Sequence, residues 1–216
     1  MGLGAAAAAT CLRGSESPAV TPEQALTELV EGNRRFVAGH PLRPNASLTR
    51  AKMVGKEGQH PRSIVLTCSD SRVPPEILFD QGIGDVFVIR VAGNVANGDE
   101  IASIEYAVDH FGVPLCVVLG HSSCGAVSAV VDGGKLPKDI EHLVEPIQRP
   151  FREAKAAHPK SDRLELVQET VRMNVLAVCS TLSDAPGVLA GSVRAAKLQI
   201  KGGVYDLETS RVEWVR

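Results

Sequence analysis

One stretch limits what this chain can become more than any other. Ile64-Val65-Leu66 is an unbroken apolar run that leads directly into Thr67-Cys68-Ser69-Asp70-Ser71-Arg72. Such a run reads as a short buried strand, and its exit loop carries a thiol, a carboxylate and a guanidinium. A second run, Leu115-Cys116-Val117-Val118-Leu119, repeats the device and enters Gly120-His121-Ser122-Ser123-Cys124, adding an imidazole and another thiol. Two strand ends therefore supply one chemical site.

The flanking sequence explains how such strands would be covered. Thr21-Pro22-Glu23-Gln24 places an N-cap, an N1 proline and an early acid ahead of Ala25, Leu26, Leu29, Val30 and Phe36, which predicts a helix to about Gly39. A connector follows over His40–Asn45, with short helical pieces around Ser47–Met53. From Ser63 the pattern alternates: strand Ile64–Thr67, helix Pro75–Phe79, strand Val86–Val91, helix Glu100–Phe111, strand Leu115–Leu119, helix from about Cys124 to Val131. That alternation implies parallel strands joined by crossovers. Ile140–Ala157 and Leu164–Leu182 have helical periodicity and predict two long covering helices separated by His158-Pro159. Gln199–Leu207 and Arg211–Val215 read as a terminal hairpin. The expectation is an α/β fold with a mainly parallel sheet in the order 2-1-3-4. A C-terminal antiparallel edge strand, covering helices and an N-terminal helical arm complete it, all in one domain over residues 21–216.

Composition narrows the function classes. With 44% hydrophobic residues in 216, the chain can bury one substantial core. A net charge of -2 with interspersed signs gives no basic footprint for nucleic acid or a membrane surface, and no apolar stretch is long enough to span a bilayer. A small or neutral substrate fits better. Five cysteines without framework spacing argue for individual thiols rather than a disulfide scaffold. Cys116 and Cys179 read as core residues and Cys11 as a free terminal thiol. Residues 1–20, with an alanine run, read as flexible or as the remnant of an export signal; the cytoplasm is the default compartment and export the alternative.

Cys68 and Cys124 are soft metal ligands and His121 is a borderline one. His-x-x-Cys at i and i+3 predicts that both donors lie on one side of a starting helical turn. In doubly wound sheets a site forms where neighbouring strands send their chains in opposite directions, and Cys68 and His121 would sit at the two strand ends flanking that point. Two thiolates and one imidazole leave a tetrahedral zinc ion one ligand short, as catalytic sites do; Asp70 or water could fill the gap. Asp70 and Arg72 are close enough in sequence for a bidentate ion pair, so Arg72 can govern whether the carboxylate faces the metal. A phosphatase-type cysteine is disfavoured, because Arg72 follows Cys68 too closely, and no Cys-x-x-Cys redox pair is present.

Cys68-Ser69-Asp70-Ser71-Arg72-Val73-Pro74, Arg90-Val91-Ala92-Gly93-Asn94 and Gly120-His121-Ser122-Ser123-Cys124-Gly125 together resemble the β-class carbonic anhydrases, a likeness running from about Thr21 to the C-terminus. The resemblance implies one zinc per chain on Cys68, His121 and Cys124, with Asp70 as an added ligand in a closed state. It implies an Asp70–Arg72 catalytic dyad, and a homodimer or larger homo-oligomer. It also implies reversible hydration of carbon dioxide to bicarbonate and a proton by zinc-bound hydroxide, which the dyad orients. The family's carbon dioxide pocket corresponds to Gln59, Val73, Phe87 and Tyr106, with Gly125 beside the metal motif. One subgroup has a regulatory bicarbonate pocket with a tryptophan three residues before the first zinc cysteine; Val65 stands there, so Arg90 is expected to make a structural ion pair instead. Hydrolysis of carbon disulfide or carbonyl sulfide on the same zinc, or a non-catalytic zinc-stabilised module, are the alternative functions. His40, His60, His110, His142 and His158 are expected at the surface.

Overall fold

The computed structural model describes residues 20–215, so the expected flexible or signal-like stretch, with Cys11, lies outside the described residues apart from Val20. Five strands form one sheet: β1 (Ser63–Thr67), β2 (Val86–Arg90), β3 (Leu115–His121), β4 (Gln199–Tyr205) and β5 (Val212–Val215). Their order is β2-β1-β3-β4-β5, with every pairing parallel except β4 with β5. The expected order is therefore observed, including the antiparallel edge.

Side-chain alternation along the central strands sorts the core into two faces. Ile64, Leu66, Cys116 and Val118 point to one side, where they meet Ile104 and Ala107 of α4 (Gly98–Phe111). Val175 and Leu182 of α8 (Arg163–Asp184) and Leu189 of α9 (Val188–Arg194) complete that layer. Val65, Leu115, Val117 and Leu119 point to the other side, against Ala25 and Leu29 of α1 (Pro22–Val37) and Leu78 of α3 (Pro75–Leu78). Helix α8 can lie close over the sheet because β3 and β4 offer it glycines. A Cβ on Gly120 or Gly202 would come within 2.7 Å of a Val175 methyl. Cys116 is fully buried and Cys179 packs against the same layer, as expected for core thiols.

The N-terminal helix starts as its sequence dictates: Thr21 and Gln24 form a reciprocal capping box and Pro22 opens the first turn. Its apolar stripe docks on the chain's own sheet, and a buried polar residue fixes the docking. Asn33 donates to the carbonyls of Leu78 and Ser210 and accepts from the amide of Val212, each at 3.1 Å. Asp80 then anchors the connector, accepting from Arg35 and from the amides of Leu42 and Arg43. By contrast, α2 (Leu48–Glu57) buries none of its residues within the chain and is held through Arg50, which bonds Asp85 and the Ile83 carbonyl.

Two expectations need correction. The long helix expected over Ile140–Ala157 is broken into α6 (Lys138–Val144), a 3₁₀ turn (Glu145–Ile147) and α7 (Gln148–Ala157). Pro146 is the reason, since it has no N–H for the helical ladder and its ring clashes with the preceding turn. Helix α9 was not expected, because Gly187 and Gly191 mask a short segment in which only Leu189 and Ala190 are buried. Helix α5 (Gly125–Asp132) has Cys124 as its N-cap, in line with the expected start at about Cys124. Among the described residues no single helix is long and apolar enough to cross a membrane.

Replacing Asn33 by alanine would leave two carbonyls and one amide without their partner at a largely buried junction. The expected loss is about 2–4 kcal/mol of unfolding free energy, read as a lower denaturation midpoint in urea, whereas Thr27→Ala on the exposed side of α1 should move it by less than about 1 kcal/mol.

Candidate metal centre

The site begins with the pairing of β1 to β3. Thr67 lies opposite Leu119 in the parallel register, and its hydroxyl donates to the Leu119 carbonyl at 2.9 Å. The residue after Thr67 is Cys68, and His121 closes β3 two residues beyond Leu119. Because β1 continues to β2 on its other side, these two carboxyl ends flank the point where the connections diverge, where α/β sheets form their sites.

His121 and Cys124 are brought together by a turn and not by a helical step. Ser123 stands at φ 54° in the left-handed region, and Cys124 is an extended cap residue ahead of α5. The i, i+3 spacing was right about proximity, but the helical reason for it is corrected. Cys68, His121 and Cys124 are all buried, and their donor atoms lie within 4.8 Å of one another. A satellite core of Val95, Val127, Val144, Ile147, Val167 and Val171 walls the two thiols from below.

Hydrogen bonding prepares this cluster for a cation. The carbonyl of Ser122 can only accept, so its 2.9 Å contact assigns the proton to His121 Nδ1. His121 Nε2 is then a bare lone pair, fully buried and without a hydrogen-bond partner among the described residues. An orphaned acceptor of this kind is unfavourable unless an electrophile takes it up. Cys68 Sγ accepts the Gly93 amide at 3.3 Å. The two thiols share their protons unequally: the bond from Cys124, with the amides of Gly93 and Asp70 assisting, lowers Cys68, while the same contact and burial push Cys124 up. Two sulfurs and an imidazole nitrogen, one of them already disposed to ionise, fit zinc by donor type and number.

The loop after Cys68 carries the other pair. Arg72 grips Asp70 with both prongs, Nε to Oδ1 at 2.9 Å and Nη2 to Oδ2 at 2.6 Å, and its backbone amide also donates to Oδ1. Arg72 thereby holds the Asp70 carboxyl well below the usual carboxylate range. Oδ2 lies 3.9 Å from His121 Nε2, so one carboxylate oxygen faces the donor cluster. Arg90 does not make the expected ion pair. It reaches from the end of β2 to the carbonyls of Cys68, at 3.0 Å, and Asp70, at 2.5 Å, and clasps the loop by its backbone.

The remaining candidates do not gather within one chain. Val73 is fully buried among Val65, Leu78 and Phe79 under one sheet face. Phe87 packs toward the other face and pairs with Tyr106 at 6.4 Å between ring centroids; Tyr106 is 47% exposed and stacks on His110. Gln59 is exposed beyond α2, and Gly125 is exposed at the first position of α5. His40, His60, His110, His142 and His158 are exposed, as expected. The sequence reading missed the amide of Gly93 and the side chain of Asn174, which donates to the Gly93 carbonyl. A lone asparagine in the valine stripe of α8 was the available signal.

The model of the carbonic anhydrase family matches residues 63–212. A carbonic anhydrase of Mycolicibacterium smegmatis is 42% identical over 91% of this chain and 94% of its own length. Carbonic anhydrase 2 of Mycobacterium tuberculosis is 38% identical over 90% of this chain and 93% of its own. Among solved structures, a Coccomyxa β-carbonic anhydrase in complex with acetazolamide superposes with a TM-score of 0.72 at 25% identity, covering 88% of this chain and 86% of that one. A β-carbonic anhydrase from the filamentous ascomycete Sordaria macrospora, described as tetrameric, gives 0.70 at 28%, covering 76% and 84%. Sequence, fold and the cysteine–histidine cluster agree, and the chain belongs to the β class of the carbonic anhydrase family.

Proposed function

We propose that this carbonic anhydrase hydrates carbon dioxide reversibly at a zinc ion held by Cys68, His121 and Cys124, one per chain, with Asp70 and Arg72 as the orienting dyad. The observation that carries the reading is the three buried donors within 4.8 Å, one of them an orphaned imidazole nitrogen. Cys68, His121 and Cys124 would hold the zinc, which would supply a Lewis acid that acidifies water; with both cysteines as thiolates that acidification would fall short of the pKa near ~7 reached at three-histidine sites.

Asp70 then acts as a fixed acceptor. Its Oδ1 takes two bonds from Arg72, whereas Oδ2 takes one and keeps lone-pair capacity on the side of His121. An acceptor held there would aim the attacking oxygen by accepting a hydrogen bond from it, a contribution of orientation rather than of acid–base exchange. The Arg72 clamp keeps Asp70 from turning inward, where a carboxylate would close the coordination shell. Gln59, Val73, Phe87, Tyr106 and Gly125 are the substrate-pocket residues in this reading. The half-exposed Tyr106 ring beside Phe87 is a surface that a second subunit would cover, which supports a homo-oligomer, as does the tetrameric relative.

Stopped-flow carbon dioxide hydration on metal-quantified protein tests the reading, and zinc-dependent turnover is expected. Arg72→Ala should retain zinc but lose about 10²-fold or more in kcat, with zinc X-ray absorption showing an added light-atom ligand from Asp70. Wild-type turnover in that variant would remove the dyad.

The hydration rate should rise from about pH 6 to about pH 9, above the three-histidine reference. The sign is set by the metal site and not by Asp70. A carboxyl held low by Arg72 is ionised throughout that window and contributes no step to the profile. A rate falling toward alkaline pH would contradict this assignment.

Light scattering of the full chain at micromolar concentration should return at least a dimer mass. A monomer with full activity would contradict a pocket completed by a partner.

A further inference from the structure

Helix α8 faces the core through Val167, Val171, Val175 and Val178, and Asn174 interrupts that stripe while remaining only 1% exposed. A buried amide on an apolar face works against stability unless its groups are bonded. Asn174 meets that condition by half. Its Nδ2 donates to the Gly93 carbonyl at 2.9 Å, and its Oδ1 has no partner among the described residues. The residue is not explained by what it adds to the core, so its single bond is where its role lies.

That bond ends on the residue that serves Cys68. Gly93 stands at φ 77° in the 3₁₀ turn Ala92–Asn94, and its amide donates to Cys68 Sγ. Bulk cannot fix this turn, since a Cβ on Gly93 would lie 2.8 Å from Ile147 Cδ1 and 3.2 Å from Ala126 Cβ. A hydrogen bond to its carbonyl can. The Gly93 carbonyl is held by Asn174 from the helix layer, and its amide is directed to the thiol at the strand end. One glycine thereby links α8 to the metal cluster.

We infer that Asn174 is a positioning residue of the metal centre: by fixing the Gly93 carbonyl it aims the Gly93 amide at Cys68 and sets how much charge that sulfur donates to a bound cation. The inference rests on the metal-site reading above. An N–H bond draws charge from a thiolate, and outer partners of metal ligands typically change metal affinity by about 10–100-fold.

The test uses the full chain as wild type, Asn174→Leu, Asn174→Ser and Thr170→Val, each loaded with zinc and, separately, with cobalt. Leucine removes the orphaned Oδ1 but strips the Gly93 carbonyl of its donor, so the two changes oppose one another in stability. Serine keeps a shorter donor and carries the same test if leucine prevents folding. Thr170→Val is the control, because that hydroxyl is buried on the same helix and, among the described residues, bonds only the Leu166 carbonyl. In competition with a chelator, Asn174→Leu should bind zinc about tenfold more weakly, because the loss of placement of Cys68 against the other two donors outweighs the added charge on its sulfur. Its sulfur-to-cobalt charge-transfer band should move to longer wavelength, since a thiolate with a looser N–H bond gives up an electron more readily. Asn174→Ser should shift in the same direction by less, and Thr170→Val should match wild type in both readouts. Wild-type zinc affinity and an unmoved band in folded Asn174→Leu would overturn the inference, as would an equal loss in Thr170→Val. If wild type itself shows no sulfur-to-cobalt band, the metal-site reading fails and this inference with it.

Discussion

The parallel pairing of β1 with β3 is the constraint on which the site depends. Residues from chain positions more than fifty apart can share a metal only if their strand ends are held side by side, and the Thr67–Leu119 register does this, reinforced by the Thr67 hydroxyl. Everything else secures that pairing or uses it. The two faces of the sheet are sealed by α1 and α3 on one side and α4, α8 and α9 on the other. The strand ends remain open to the loops that carry Asp70, Arg72 and Ser123.

Burial gives the cluster its chemistry. A fully buried imidazole lone pair and two adjacent buried thiols are an unfavourable arrangement in an empty core, and a favourable one around a dipositive ion that takes all three. The surrounding hydrogen bonds have the same orientation: Ser122 fixes the tautomer of His121, Gly93 supports Cys68, and Arg72 keeps Asp70 beside the cluster while restraining it. Arg90 adds a clasp on the carbonyls of Cys68 and Asp70, which ties the backbone of the same loop to the end of β2.

Much of this was legible in the sequence because the informative features are local. Apolar runs such as Ile64–Leu66 and Leu115–Leu119 declare buried strands, and Thr21-Pro22 with Gln24 declares a helix start. What escaped depends on through-space partners. The carbonyl clasp of Arg90 and the Asn174–Gly93–Cys68 chain join residues whose spacing predicts no contact, and the turn at Ser123 stands where the His121–Cys124 spacing predicts a helical step. The break at Pro146 is local, since a proline removes an N–H in the middle of a stretch whose apolar periodicity continues on either side. Val73 and the Phe87–Tyr106 pair lie on opposite faces of the sheet of one chain, which turns a pocket inferred from resemblance into a question about assembly.

The proposed zinc ion would occupy the space defined by Cys68, His121 and Cys124. An anomalous-difference map from crystals of the protein, recorded on both sides of the zinc absorption edge, addresses it directly. One strong peak per chain is expected within bonding distance, about 2.0–2.3 Å, of both sulfurs and of His121 Nε2. A map with no peak there, or with zinc held by other residues, would contradict it.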